Sequence, residues 1–330
     1  MKTPLTVLFL FPFLSLVAQV NTIKVTNRED FIEQTPYDSL RNFPGESVYG
    51  LVGQQLYLKG RPADIRRFGY EGFLIDYTKP GGWNKENIYK CSETFLGADS
   101  YYSRYGDLAG KYFNVLSVLR HPKAAQDYKS FAHLYYLRLQ ETSSGDIVYF
   151  EYNNTHPHFY PFLTVGFVDK QRQKLTGKRY ILRGRNNLES HTIINIKTGI
   201  RIYPKSNTIW NFVAIGVEEQ NYRLALVLQN EQGEQIALNI ESYPLETWVF
   251  EYYQAQRYRE DFGELNFRRI LDGKVTEDMT KQMCRLAWGD PEKIQPYNIA
   301  GNSEGSTRLE EWIYGVNRLY FRDNILIDFK

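Results

Sequence analysis

The chain has 330 residues, with 40 Lys and Arg against 38 Asp and Glu, a formal charge of +2. That near balance gives no reason to expect nucleic acid or any other highly charged partner across the whole molecule. Tyr (26) and Phe (20) are abundant, which favours twisted sheets over helical bundles, and the two cysteines, Cys91 and Cys284, are too few for a disulfide scaffold and are read as unpaired thiols.

At the N-terminus, Lys2, an apolar run from Leu5 to Val17 and the small residue Ala18 have the form of an export signal. Cleavage after Ala18 leaves a chain that begins at Gln19 and has no cysteine there to carry a lipid. The run is too short to cross a bilayer as a helix, and no later segment is apolar for about 18 residues, so no membrane span is predicted. Residues 19–47 read as a lead-in: a strand at Ile23 to Val25, then a short helix started by Asn27 and Asp30, before Pro36 and Pro44 break the chain.

Residues 48–158 and 159–243 read as two similar β units. Leu51-Val-Gly-Gln-Gln-Leu-Tyr-Leu-Lys-Gly-Arg61 returns as Leu175-Thr-Gly-Lys-Arg-Tyr-Ile-Leu-Arg-Gly-Arg185, and a shorter relative stands at Leu108-Ala-Gly-Lys-Tyr-Phe-Asn-Val115. A hairpin is expected where Tyr135-Tyr-Leu-Arg-Leu139 leads through Gly145 into Ile147 to Tyr152. Its counterpart is expected where Tyr222-Arg-Leu-Ala-Leu226 leads through Gly233 into Gln235 to Ile240. Two matched segments in the same order predict an internal duplication. Short alternating strands with a closing hairpin resemble bacterial SH3-like domains, which implies small closed barrels, though such a fold carries no function by itself.

Residues 244–273 read as a transition in which Trp248 to Tyr258 fits a helix or an edge strand equally. Residues 274–330 predict a helix capped by Thr276 or Asp278, with Met279, Met283, Leu286 and Ala287 on one face, stopped by Gly289 and Pro291. Strands then follow at Glu311 to Tyr314, Leu319 to Phe321 and Ile325 to Ile327. This order, with Met-Thr-Lys-Gln-Met, Leu-Ala-Trp-Gly-Asp-Pro and Glu-Glu-Trp-Ile-Tyr, resembles the small SmpA/OmlA lipoproteins, also called BamE-like or β-lactamase-inhibitor-like. The resemblance implies an α+β module that packs against another protein and has no catalytic residues, and this chain lacks the family's lipid-attachment cysteine. As a whole, the chain resembles secreted proteins of gut Bacteroidetes. The fold class expected is therefore mainly β, with two SH3-like barrel units and a small α+β C-terminal module.

Chemistry is sparse. Gly301-Asn-Ser-Glu-Gly305 matches a nucleophile-elbow string, but it sits in a polar loop and no histidine follows His191. His156 and His158 have the spacing of two zinc ligands on one side of a strand, a lesser metal candidate that lacks a defined third ligand. A Cys-His hydrolase would need Cys91 at a helix N-terminus, whereas Tyr89 to Ser92 reads as a strand. No cofactor motif is present, and none is predicted. The strongest bias is the basic run from Lys170 to Lys205, in which Lys174, Lys178, Arg179, Arg183, Arg185 and Arg201 are candidates for a binding patch. Trp83 and Trp210 are candidate aromatic platforms.

These features predict an exported, non-catalytic binding or scaffold protein of a Gram-negative cell envelope, periplasmic or extracellular, whose partner is an envelope polymer, a glycan or a protein. The alternatives are a Cys-His or zinc hydrolase, and an outer-membrane assembly factor that acts through its C-terminal module.

Overall fold

Each Leu-x-Gly signature does the same local job. A helical turn ends on the leucine, at Val48–Leu51, in α1 (Tyr105–Leu108) and in α2 (Val165–Leu175), and a strand starts two residues beyond the glycine. Gly53, Gly110 and Gly177 have φ of 79°, 78° and 77°, a left-handed backbone that glycine adopts without steric cost, so the motif is a helix stop joined to a strand start. The leucines Leu51, Leu108 and Leu175 are all buried.

The computed structural model describes residues 42, 48–79, 84–92, 101–125, 131–155, 161–184, 193–296 and 309–330, all within one compact unit. The export signal, the lead-in apart from Asn42, the elbow string, Trp83, Arg185, His156 and His158 lie outside the described residues.

The first sheet contains β1 (Gln55–Leu58), β2 (Phe73–Leu74), β3 (Tyr112–Arg120), β4 (Leu134–Glu141), β5 (Ile147–Asn153) and β6 (Phe162–Thr164), in the order β2-β5-β4-β3-β1-β6. The second contains β7 (Arg179–Leu182), β8 (Ile209–Val217), β9 (Leu224–Gln229), β10 (Gln235–Asn239) and β11 (Val249–Glu251), in the order β10-β9-β8-β7-β11. Read from β5 to β6 and from β10 to β11, the two orders coincide, and every pair is antiparallel. The registers coincide as well. Asn114 faces Gln55 as Asn211 faces Arg179, and β3 and β8 carry the same irregularity one step later, at Val115/Ser117 and Phe212/Ala214.

This register corrects the alignment expected from Tyr-x-Leu-x-Leu. Leu139 opposes Val115 and Leu228 opposes Phe212, so Leu137 and Leu139 correspond to Leu226 and Leu228, two residues beyond the match read from sequence. Tyr222 is not a strand residue but sits in a turn with φ of 54°. The Leu108 copy lies within the first of the two units and opens β3, the antiparallel neighbour of β1. Its glycine was recognisable because it makes the same kind of strand start.

Both strand orders are linear, so no sheet closes among the described strands. The expected barrel closure is replaced, at the β6 edge, by a side chain. The Asn42 amide donates to Phe162 O at 3.0 Å and accepts from Thr164 N at 2.8 Å, occupying backbone groups that would otherwise invite another strand.

The cores explain the aromatic content. Phe73, Phe113, Phe150 and Phe162 interlock at the centre of the first sheet, with ring centroids 4.9–5.9 Å apart in edge-on and tilted contacts. Burying each such ring contributes about 1.5–3 kcal/mol. The second core gathers Tyr180, Leu182, Trp210, Leu226, Leu228, Ile236 and Trp248 with Phe167 and Leu175 of α2.

Residues 244–273 are no loose transition. Val249 to Glu251 form β11, the partner of β7, and α3 (Tyr252–Leu271) follows directly, broken at Gly263 where φ is 78°. Next comes α4 (Lys281–Trp288), capped by Thr280, whose hydroxyl accepts from Met283 N at 3.2 Å, in place of the expected Thr276 or Asp278. A meander of β12 (Lys293–Pro296), β13 (Leu309–Tyr314), β14 (Asn317–Arg322) and β15 (Ile325–Phe329) packs Trp312, Leu319, Phe321 and Leu326 against Met283, Cys284 and Ala287. No helix among the described residues is long and apolar enough to cross a membrane.

Candidate functional site

The basic run does not form one positive face. Lys178 pairs with Glu251 at 2.6 Å, and Arg179 lies over the Tyr252 ring at 4.1 Å. Arg201 is exposed and stacks on exposed Tyr203. Arg183 is 4% exposed. Its guanidinium donates to Glu246 O at 2.6 Å and to Leu286 O at 2.5 Å and Ala287 O at 3.3 Å, and lies over Phe250 at 4.3 Å. A cation on the last carbonyls of α4 meets the negative end of that helix, so Arg183 works as a joint within the fold and is corrected as a binding residue.

The equivalent residue in the first copy is also a joint. Lys59, 5% exposed, reaches Glu241 at 2.5 Å, and Glu241 in turn accepts from Leu224 N. The glycines that follow both basic residues sit at close approaches. A Cβ on Gly60 would lie 2.0 Å from the Tyr222 ring, and one on Gly184 would lie 2.8 Å from Ser206 and 2.9 Å from Asp272. Basic-Gly therefore marks, in each copy, the place where the unit is fastened to the next part of the chain.

Trp210 is 1% exposed and its indole donates to Thr208 Oγ1 at 2.8 Å, which removes it as an aromatic platform. It occupies the β8 position that Phe113 holds on β3, since Tyr180 faces Trp210 as Leu56 faces Phe113.

One candidate, Lys174, reaches a site. It stands exposed at the end of α2 with no ion-pair partner among the described residues. With Lys178 it lines a cleft of about 360 Å³ between α2 and the segment that runs from Leu245 through β11 into α3. Apolar Phe167, Leu175, Leu224, Ile240, Leu245 and Val249 line much of this cleft, and Gln171, Glu246, Glu251 and Gln254 add polar groups.

Tyr180 also lines the cleft. Its side chain is 2% exposed, yet its hydroxyl has no hydrogen-bond partner among the described residues. A buried hydroxyl left unpaired costs about 1–3 kcal/mol, and native interiors rarely keep one without a use. Burial, with Glu251 and Glu246 adding to it, pushes this phenol up to about 12, so it stays a neutral donor and acceptor at physiological pH.

Sequence reading missed Tyr180, Glu246, Glu251 and Gln254. Tyr180 looks like an ordinary alternating strand residue, and the others fall where the reading placed only a transition. Nothing local distinguishes them, because the cleft joins positions about 70 residues apart.

No family model, curated protein or solved structure matches this chain.

Other polar clusters are structural. Glu141, whose side chain is fully buried, receives Lys111 at 3.0 Å, Lys90 at 3.1 Å and Ser144 at 2.9 Å, together with Ser143 and Tyr89. Burial alone would raise its pKa, but the hydrogen bonds from Ser143, Lys111, Ser144 and Lys90 prevail and hold it well below the usual carboxylate range. It pins the β4–β5 turn where Asn230, with Glu234, pins the β9–β10 turn. A second cleft of about 470 Å³ lies beside Arg223, Asn239 and Tyr243, but none of the described residues that line it has an unpaired buried polar atom.

Cys91 and Cys284 are free thiols. Burial raises both, Cys284 to about 12, while Lys85 and Arg104 only partly offset it at Cys91. Neither has the lowered pKa of a nucleophilic cysteine. No group of three or more His, Cys, Asp or Glu side chains suited to a metal occurs among the described residues.

Proposed function

We propose that this is an exported, non-catalytic binding protein of the cell envelope whose ligand sits in the cleft between α2 and the β11–α3 segment. The observation that carries the reading is Tyr180, a residue that lines that cleft and whose buried hydroxyl has no hydrogen-bond partner among the described residues. A ligand group bonded to it recovers an interaction that the free protein forgoes, and the surrounding apolar walls and amides match the make-up of organic ligand sites. Export rests on the Lys2 to Ala18 pattern, and N-terminal sequencing of the secreted protein should begin at Gln19. The likeness of residues 274–330 to SmpA/OmlA modules supports a docking role for the C-terminal helix and meander, secondary to the cleft.

The test is ligand-observed NMR on the mature protein against a mixture of tripeptides and neutral oligosaccharides, run in parallel with Tyr180→Phe. Binding that weakens about tenfold in the variant supports the cleft. A binding profile identical in both proteins overturns it.

A further inference from the structure

We infer that the ligand of this cleft is a short peptide with both termini free and an apolar side chain, an inference that rests on the cleft being the binding site. Two lining residues carry charges with no ion-pair partner among the described residues, Lys174 on α2 and Glu246 in the turn at Leu245–Thr247. They belong to different walls. The remaining lining charges, Lys178 and Glu251, neutralise each other at 2.6 Å. The cleft thus offers one open cation and one open anion, which selects a zwitterion over a polyanion or a neutral sugar.

The lining between them is predominantly aliphatic. Leu175, Leu224, Ile240, Leu245 and Val249 suit a branched apolar side chain, whereas a sugar ring would look for a flat exposed aromatic face, and Tyr180 is only 2% exposed. Tyr180 stays protonated, so its hydroxyl is able to donate to a peptide carbonyl or accept from a peptide N–H, and Gln171 lies along the same cleft. A cavity of about 360 Å³ is at the small end of ligand sites, which limits the occupant to two or three residues. In this arrangement Lys174 takes the terminal carboxylate, Glu246 takes the terminal ammonium, and the apolar side chain lies between.

Calorimetry with the mature protein tests this, using trileucine, its N-acetylated form, its C-terminal amide and cellotetraose as probes. Trileucine should bind, and each cap should weaken binding about tenfold, the usual worth of one charge-assisted hydrogen bond. Lys174→Gln should abolish the effect of the amide while leaving that of the acetyl group, and Glu246→Gln should do the reverse. Both residues are exposed, so neither change threatens folding. Equal binding of free and capped trileucine overturns the inference, as does cap sensitivity unchanged in both variants. If cellotetraose binds in a Tyr180-dependent way and trileucine does not, the cleft reading stands and the peptide inference falls. If neither probe's binding depends on Tyr180, both fall.

Discussion

Two tyrosines buried to the same degree should respond oppositely to loss of their hydroxyl. Tyr70 is 1% exposed and donates to Lys59 O at 2.6 Å, whereas Tyr180 is 2% exposed and bonds to nothing among the described residues. Tyr70→Phe removes a satisfied buried hydrogen bond and should cost about 1–2 kcal/mol. Tyr180→Phe removes the desolvation penalty of an orphan hydroxyl, set against a void of one oxygen atom, and should stabilise by up to about 1 kcal/mol.

The pH dependence sharpens the contrast. The phenol of Tyr180 is raised from 10.0 to about 12, so below pH 10 it is neutral in both states and its contribution is constant. As pH rises from 10 to 12 the unfolded state ionises first, and stability falls by roughly 2–3 kcal/mol through this group. The phenylalanine variant lacks that loss, so its advantage should grow by about 1.4 kcal/mol per pH unit across the interval. Urea unfolding followed by tryptophan fluorescence at pH 7, 10 and 11 measures all of this. A Tyr180→Phe protein as destabilised at pH 7 as Tyr70→Phe would show that the hydroxyl is paired after all, and would remove the main support for the cleft.

Further outcomes follow from the joints and the buried carboxylate. Glu141→Gln leaves the partly exposed Lys90 and Lys111 without their shared anion and should destabilise by about 1–3 kcal/mol. Because the folded pKa of Glu141 is lowered, its contribution is present above pH 4.5 and is lost as pH falls, so the variant's unfolding midpoint should converge with the parent's in acid. Arg183→Lys cannot reproduce the fork to Glu246 O and Leu286 O, and should cost about 2–3 kcal/mol in chemical unfolding. Gly60→Ala should cost about 1–3 kcal/mol because its Cβ meets the Tyr222 ring, and adding Tyr222→Ala should recover part of that loss, a coupling that a double-mutant cycle measures.

Sequence by itself determined what depends on neighbours along the chain. Alternation marked the strands of the two hairpins and of the C-terminal meander, and Leu-x-Gly marked the starts of β1, β3 and β7, because a left-handed residue after a helical turn is a local demand that glycine alone meets cheaply. Strands β13 to β15 and the helix before them were legible for the same reason, although β12 was not read and the cap moved to Thr280 because the hydroxyl must reach the N–H three residues on.

Only the tertiary structure decided the rest. The shift of the second hairpin by two residues follows from cross-strand pairing, to which the pattern Tyr-x-Leu-x-Leu is blind. The open sheet order depends on what covers an edge, here the Asn42 side chain on β6. The fate of the basic run turned on partners far along the chain: Arg183 found helix carbonyls 103 residues away and Lys178 a carboxylate 73 residues away. Charge type is written in the sequence, but whether a charge is spent inside the fold or offered to a ligand depends on what folding brings beside it. Among the described residues, Lys174 and Glu246 are the cleft charges with no ion-pair partner.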